Sequence, residues 1–180
     1  MAGGLLSSFL LLIFVPSITI VPIFLSMLGG LFPDFDSTNS TVAHMGFRVN
    51  KGLRVKPFYL LSLFGSIIFE HRTYTHTFIA AIIGGVVVSI ITYFVGMEDM
   101  IINGVAFFLG WVSHILLDAM TVSGVPMLWP MKPITQSQHI LSHKRRIKTG
   151  ATFDQIFGLL LLFLFVIGVV FFFLLGRIAV

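Results

Sequence analysis

The chain has 180 residues, 57% hydrophobic and only 10% charged, with a mean hydropathy of +1.03. An ordinary soluble domain carries about 25% charged residues, so this composition excludes a soluble globular protein and implies an integral membrane protein. There is no cysteine, which excludes disulfides, iron–sulfur clusters and thiolate zinc sites; the net charge of +4 is read as membrane orientation rather than nucleic-acid binding.

The Met1-Ala-Gly-Gly start lacks the basic n-region of a signal peptide, so the first apolar run is expected to stay in the mature protein. Leu5 to Phe32 is 28 residues without a charge. As one helix it would measure about 42 Å, against a bilayer core of about 30 Å. Pro16 and Pro22 interrupt it, which predicts either one kinked span or a hairpin of two short helices, with Gly29-Gly30 near the end. Asp34 and Asp36 follow Pro33, and two readings stand side by side: a turn held by Asx hydrogen bonds, or a pair of ligands. Residues 37–57 form a polar, basic connection in which His44 reads as a loop histidine. Phe58 to Phe69, 12 apolar or small residues, is too short to span and suits a buried or re-entrant helix.

Glu70-His71-Arg72-Thr73-Tyr74-Thr75-His76-Thr77 is a polar island between apolar stretches. Ionisable groups at membrane depth are expensive unless they pair with each other, with water or with a metal; the plainer alternative is a loop with two solvated histidines. Phe78 to Val95 is an expected span, Glu98-Asp99 an acidic turn, and Met100 to Met120 a second span carrying Ser113, His114 and Asp118 near its end. Residues 121–153 hold Trp129-Pro130, His139, His143 and the basic run Lys144-Arg-Arg146 with Lys148. The last span runs from about Asp154 to Gly176, capped by Arg177. These elements predict an all-α fold, a polytopic helix bundle of four or five apolar helices plus a short re-entrant or buried helix, in one membrane domain over residues 1–180.

Basic residues orient the bundle. Of the eleven Lys and Arg, four lie in residues 33–57, one is Arg72, and five lie in 121–153, while the turn at 96–99 holds none. The positive-inside rule then places 33–57 and 121–153 in the cytoplasm of a multi-pass protein. Traced through that scheme, Asp34, Asp36, His71, His76, His114, Asp118 and Asp154 all reach the same end of the bundle.

His114 and Asp118, four apart on a helix, are separated by about 400° and face the same way. That spacing serves two ligands of one metal, or a His–Asp pair that merely pins two helices. His71 and His76 would diverge by about 140° on a continuous helix. They converge only if the helix breaks between them, with Thr73 or Thr75 as the N-cap of a new start. Histidines and aspartates without cysteine suit zinc, manganese or iron, and the number of candidates suits one or two ions. Arg72 fits a phosphate or carboxylate clamp, or a snorkelling interfacial arginine. Trp129 and Pro130 fit a pocket wall or an interfacial belt. His139 and His143, four apart, fit a metal pair less well than a solvated or lipid-headgroup-facing surface beside Lys144 to Arg146.

The motifs His71-Arg72-x-x-Thr75-His76-Thr77, Ser113-His114-x-x-x-Asp118-x-x-Thr121 and Gly124-Val-Pro-x-Leu-Trp-Pro130 resemble the YdjM-like family. Leu31-x-Pro33-Asp34-x-Asp36 is similar to its upstream acidic motif, and Lys148-Thr-Gly150 followed by Asp154 to its closing one, so the resemblance covers roughly residues 25–160. The family is described as LexA-regulated inner-membrane proteins assigned as metal-dependent hydrolases. The resemblance implies ligands at Asp34, Asp36, His71, His76, His114 and Asp118. Two departures stand out: the first apolar run carries no histidine where the family usually has one, and Asp154, the seventh candidate metal ligand, stands where the family more often has Glu.

The expected function is therefore a membrane-bound metal-dependent hydrolase, zinc first and manganese second, acting on a phosphoester or lipid-linked substrate. Arg72 would bind the anion, and Glu70 is the candidate general acid or base. Expected partners are the bilayer and a small or lipid-linked substrate, with no nucleic acid and no obligate protein partner. The alternatives are a metal-ion or proton transport or sensing protein, and a haem protein with His76 and His114 as axial ligands.

Overall fold

The computed structural model describes residues 2–14, 18–36, 47–50, 53–55, 74–148, 152–174 and 178–179. They are mostly helical: α1 (Ala2–Phe14), α2 (Ile20–Leu31), α3 (Phe78–Phe94), α4 (Met100–Ala119) and α5 (Thr152–Leu174). Four strands of two to four residues add little: β1 (Ile18–Thr19) pairs in parallel with β4 (Ile178–Ala179), and β2 (Phe47–Asn50) pairs antiparallel with β3 (Leu53–Val55). The expected short helix at Phe58 to Phe69 lies outside the described residues.

The run 5–32 is a hairpin of two helices rather than one kinked span, since α1 and α2 are separate elements on either side of β1. Pro22 is the third residue of α2, among the first four N–H positions, which have no intrahelical partner to lose. A 3₁₀ turn, Phe32–Asp36, continues α2 and carries Asp34. The helix start after the polar island falls two residues later than expected at the latest. Its N-cap is Thr77, not Thr73 or Thr75: Thr77 is extended at φ −115° and ψ 150°, and its hydroxyl accepts from the Ala80 amide at 3.2 Å. The 3₁₀ turn Tyr74–His76 fits just ahead of it, and the Thr77 hydroxyl donates to the Tyr74 carbonyl at 2.8 Å.

Helix α4 is the centre of the bundle. Its Ala106, Phe107, Trp111, Ile115 and Ala119 are buried, packed with Ala81 of α3, Val125 beyond α4, and Leu11 and Ile23 of the hairpin. Phe165 and Val169 of α5 close the far side of that cluster. With 20 residues and a mean hydropathy of 1.9, α4 is long and apolar enough to cross a membrane, alone in this among the described residues. Outward faces are apolar as well: Ile82, Ile83, Val86 and Ile90 on α3, and Leu159, Phe163, Val166 and Phe171 on α5, are all exposed. Apolar surface on that scale calls for lipid or another protein rather than water.

Lipid tails are as apolar as leucine, so burial alone does little to join helices there; small residues that let backbones approach take over. α1, α2 and α4 meet on such residues. A Cβ on Gly29 would run into the Phe107 carbonyl, one on Gly110 into the Ser26 carbonyl, and one on Gly30 into the Gly4 backbone. Buried serines tie the same seam, with Ser7 Oγ and Ser26 Oγ 2.6 Å apart, and Ser8 Oγ donating to the Gly4 and Ile23 carbonyls at 2.7 and 3.1 Å.

Candidate metal centre

The seam between α2 and α4 ends at two histidines and two aspartates. Asp34 comes from the turn after α2, His76 from the turn before α3, and His114 and Asp118 from one face of the last turns of α4. His76 Nε2 lies 3.5 Å from Asp118 Oδ2; His114 Nε2 lies 3.7 Å from Asp118 Oδ2 and 3.7 Å from Asp34 Oδ1. One potential ligand atom from each of Asp34, His76 and His114 falls within 4.8 Å of the others. The imidazoles are interior, with side chains 0% and 8% exposed, while the carboxylates reach outward at 18% for Asp118 and 32% for Asp34. The cluster therefore opens on its acidic side.

The surroundings aim the rings. His114 Nδ1 is 2.8 Å from the Gly30 carbonyl oxygen. A carbonyl only accepts, so Nδ1 carries the proton and donates. That assigns the tautomer and leaves a lone pair on Nε2, which is buried and has no hydrogen-bond partner among the described residues. A histidine that donates one ring N–H to a backbone carbonyl and turns the other nitrogen into a polar cluster has the second-shell arrangement of metal-ligating histidines. His76 is placed similarly: its Nδ1 is 3.0 Å from Thr75 Oγ1, and the Thr75 carbonyl accepts from Trp111 Nε1 at 2.7 Å. The rings of His76 and His114 meet edge to face, 5.5 Å apart.

The donor set fits a divalent metal. Two ligands on a tetrahedral zinc at about 2.0–2.1 Å stand about 3.3 Å apart. The His76–Asp118, His114–Asp118 and His114–Asp34 separations of 3.5–3.7 Å therefore need a few tenths of an ångström of contraction. The Asp34, His76 and His114 set, spread within 4.8 Å, must draw in further. Two neutral imidazoles and two carboxylates also make a charge-neutral complex with a divalent ion, and nitrogen–oxygen ligation suits zinc or manganese. A haem fits poorly, because the carboxylates of Asp118 and Asp34 stand where a macrocycle would face the two Nε2 atoms.

Of the residues singled out in the sequence, Asp34, His76, His114 and Asp118 are brought together. Asp36 lies in the same 3₁₀ turn as Asp34, and Asp154 in the first turn of α5; their side chains are outside the described part. Glu70, His71 and Arg72 fall outside the described residues. His139 and His143 are elsewhere: His139 is hydrogen-bonding distance, 3.1 Å, from the Val122 carbonyl, and His143 lies in an exposed 3₁₀ turn. Sequence reasoning passed over the supports Gly3 and Trp111, and it named Gly30 and Thr75 only as a helix end and a candidate cap. Ser113 Oγ donates to the Gly3 carbonyl at 2.5 Å, and a Cβ on Gly3 would lie 2.6 Å from the His114 amide nitrogen. A signal existed: Gly3 with Ser7, Gly4 with Ser8, Ser26 with Gly30 and Ala106 with Gly110 are small residues four apart, the spacing of close helix contacts in membranes.

A family model described as YdjM inner membrane protein matches residues 1–179. Over 102 residues the chain is 32% identical to "Uncharacterized protein YvsG" of Bacillus subtilis (strain 168), a stretch covering 57% of this chain and 52% of that protein. The matched stretch thus spans about half the length of that relative. No solved structure matches.

Proposed function

The chain belongs to the YdjM inner membrane protein family, and from that premise we propose that it is a membrane-bound, metal-dependent hydrolase acting on a phosphoester or lipid-linked substrate. The observation that carries the proposal is the meeting of two buried imidazoles with two part-exposed carboxylates at 3.5–3.7 Å, at the end of an apolar 20-residue helix. Asp34, His76, His114 and Asp118 would hold the metal, zinc first. A divalent ion bound there supplies Lewis acidity toward a phosphoryl oxygen and acidifies a bound water.

The chain's own groups do the rest. The Gly30 carbonyl engages His114 Nδ1 and the Thr75 hydroxyl engages His76 Nδ1, which leaves both Nε2 atoms turned toward the carboxylates. The exposed edge of Asp34 and Asp118 faces the side from which substrate and water arrive. Arg72 is assigned the substrate anion, through its planar fork, and Glu70 a proton-transfer role worth about 10² to 10⁴ in rate. The test is a panel of lipid phosphates and diphosphates offered to detergent-purified protein with zinc or manganese. Arg72→Lys is expected to lose at least about tenfold in turnover with bound metal unchanged, as the charge stays and the bidentate geometry goes. Metal bound without turnover of any substrate would remove the enzyme reading in favour of metal sensing.

The proposal includes orientation: a multi-pass protein with the site at the cytoplasmic face, supported by the distribution of its basic residues. Single cysteines at Asp99 and Ser137, in an otherwise cysteine-free chain, are expected to react with an impermeant maleimide from opposite sides, Asp99 from outside. Labelling of both from one side would overturn it.

A further inference from the structure

The segment that follows α4 is a strongly charged surface among the described residues that the metal centre does not use. Residues 121–148 contain Lys132, Lys144, Arg145, Arg146 and Lys148 and no Asp or Glu. Among the described residues none of these five cations has a carboxylate partner. Arg146 is partly buried and its Nε donates to the Leu141 carbonyl at 3.4 Å, while Lys132, Lys144, Arg145 and Lys148 are exposed.

The backbone holds this charge at one depth. Ile147 N donates to the Met120 carbonyl at 3.1 Å, Val122 N to the Ile147 carbonyl at 3.0 Å, and Ile140 N to the Ala119 carbonyl at 2.9 Å. The segment leaves α4 and folds back onto its last turn, so Lys144 to Lys148 stand beside the helix end instead of trailing into water. Twenty helical residues measure about 30 Å, the thickness of the hydrocarbon core, so a bilayer crossed by α4 would have that helix end at headgroup level. Two further features mark the same level. Tyr74 and Trp129 pack edge to face at 5.4 Å, a pair of the amphipathic aromatics that populate the membrane–water boundary. Next to them Met131 is 90% exposed, an apolar side chain aimed away from the protein and adjoining Lys132.

We infer that residues 121–148 form a binding surface for anionic phospholipid headgroups, with Lys144, Arg145 and Lys148 on the phosphates and Met131 dipping below them. The inference does not rest on the hydrolase reading, since none of these side chains is in the metal cluster. Cations held at headgroup depth by a folded segment meet lipid phosphate at short range, where each Lys or Arg is worth roughly a fivefold preference.

The probe is spin-labelled phosphatidylglycerol against spin-labelled phosphatidylcholine, on full-length protein reconstituted in phosphatidylcholine bilayers. Wild type is expected to select phosphatidylglycerol at low salt and to lose much of that selectivity in 0.5 M NaCl, as screening predicts. Lys144→Gln/Arg145→Gln, both at exposed positions, is expected to lose most of it with bound metal unchanged. Arg48→Gln/Arg54→Gln, which removes the same charge from the β2–β3 hairpin, is expected to keep it. Equal selectivity in wild type and the first variant, or equal loss in both variants, would overturn the assignment; so would a preference that inorganic phosphate abolishes at low millimolar concentration, which would mark a free-anion site.

Discussion

His114→Ala is expected to bind zinc at least about a hundredfold more weakly than wild type, because loss of a ligand exceeds the 10–100-fold cost of losing an outer-shell partner. The expectation follows from the position of one atom. His114 Nε2 is buried, faces both Asp34 and Asp118 at 3.7 Å, and has no hydrogen-bond partner among the described residues. An unsatisfied buried ring nitrogen beside two carboxylates is costly as protein structure alone, and a metal removes that cost. Asp118→Asn should weaken binding as well, since Asp118 Oδ2 is shared by His76 and His114 at 3.5 and 3.7 Å. Ser113→Ala is the control on the same helix. It removes bonds to the Gly3 and Gly110 carbonyls but no candidate ligand, so its metal content should equal wild type. Competition titration with a chromophoric chelator measures all three.

The second large effect is expected from Gly30→Ala, which should lower the unfolding temperature and zinc affinity together. One methyl group suffices, because the Cβ position is already occupied by the Gly4 backbone. Overpacking typically costs about 1–3 kcal/mol, occasionally more, and backbone cannot swing aside as a flexible side chain does. The α1–α2 seam must open, and the Gly30 carbonyl that orients His114 moves with it. Gly96→Ala provides the contrast: its φ of +77° makes the substitution strained, yet nothing lies within 4 Å of the new Cβ. It should cost about 1–2 kcal/mol for the left-handed backbone and leave zinc binding alone. Differential scanning fluorimetry with and without zinc reads both outcomes, and an unchanged Gly30→Ala would mean that the helices do not pack as described.

These two sets of residues differ in how visible they were beforehand. His114 and Asp118 are legible from spacing, because four residues on a helix is a geometric statement that needs no partner. The helix at Met100–Ala119 is legible from its length and largely apolar composition. Asp34 and His76 could be assigned only to the same end of the bundle. Their distances depend on how α2 and α3 dock on α4, which periodicity does not encode. The choice between a kinked span and a hairpin stayed open for a related reason. Pro22 suits the first turn of a helix as well as it suits a kink in the middle, and only tertiary packing decides. Thr73, Thr75 and Thr77 have the same capping chemistry, so composition could not select the one that caps; the 3₁₀ turn Tyr74–His76 selects Thr77. The Gly30 carbonyl was least accessible. It meets His114 across 84 residues of chain, and a backbone acceptor leaves no mark on residue type beyond the glycine that permits the approach.

The central claim is that two imidazoles and carboxylate oxygens share one ion. Zinc K-edge X-ray absorption on zinc-loaded wild type and His114→Ala tests it most directly. Wild type is predicted to show nitrogen and oxygen scatterers at about 2.0–2.1 Å with the outer-shell pattern of two imidazoles, and the variant one imidazole fewer. A wild-type spectrum without imidazole, or one unchanged by the substitution, would contradict the account.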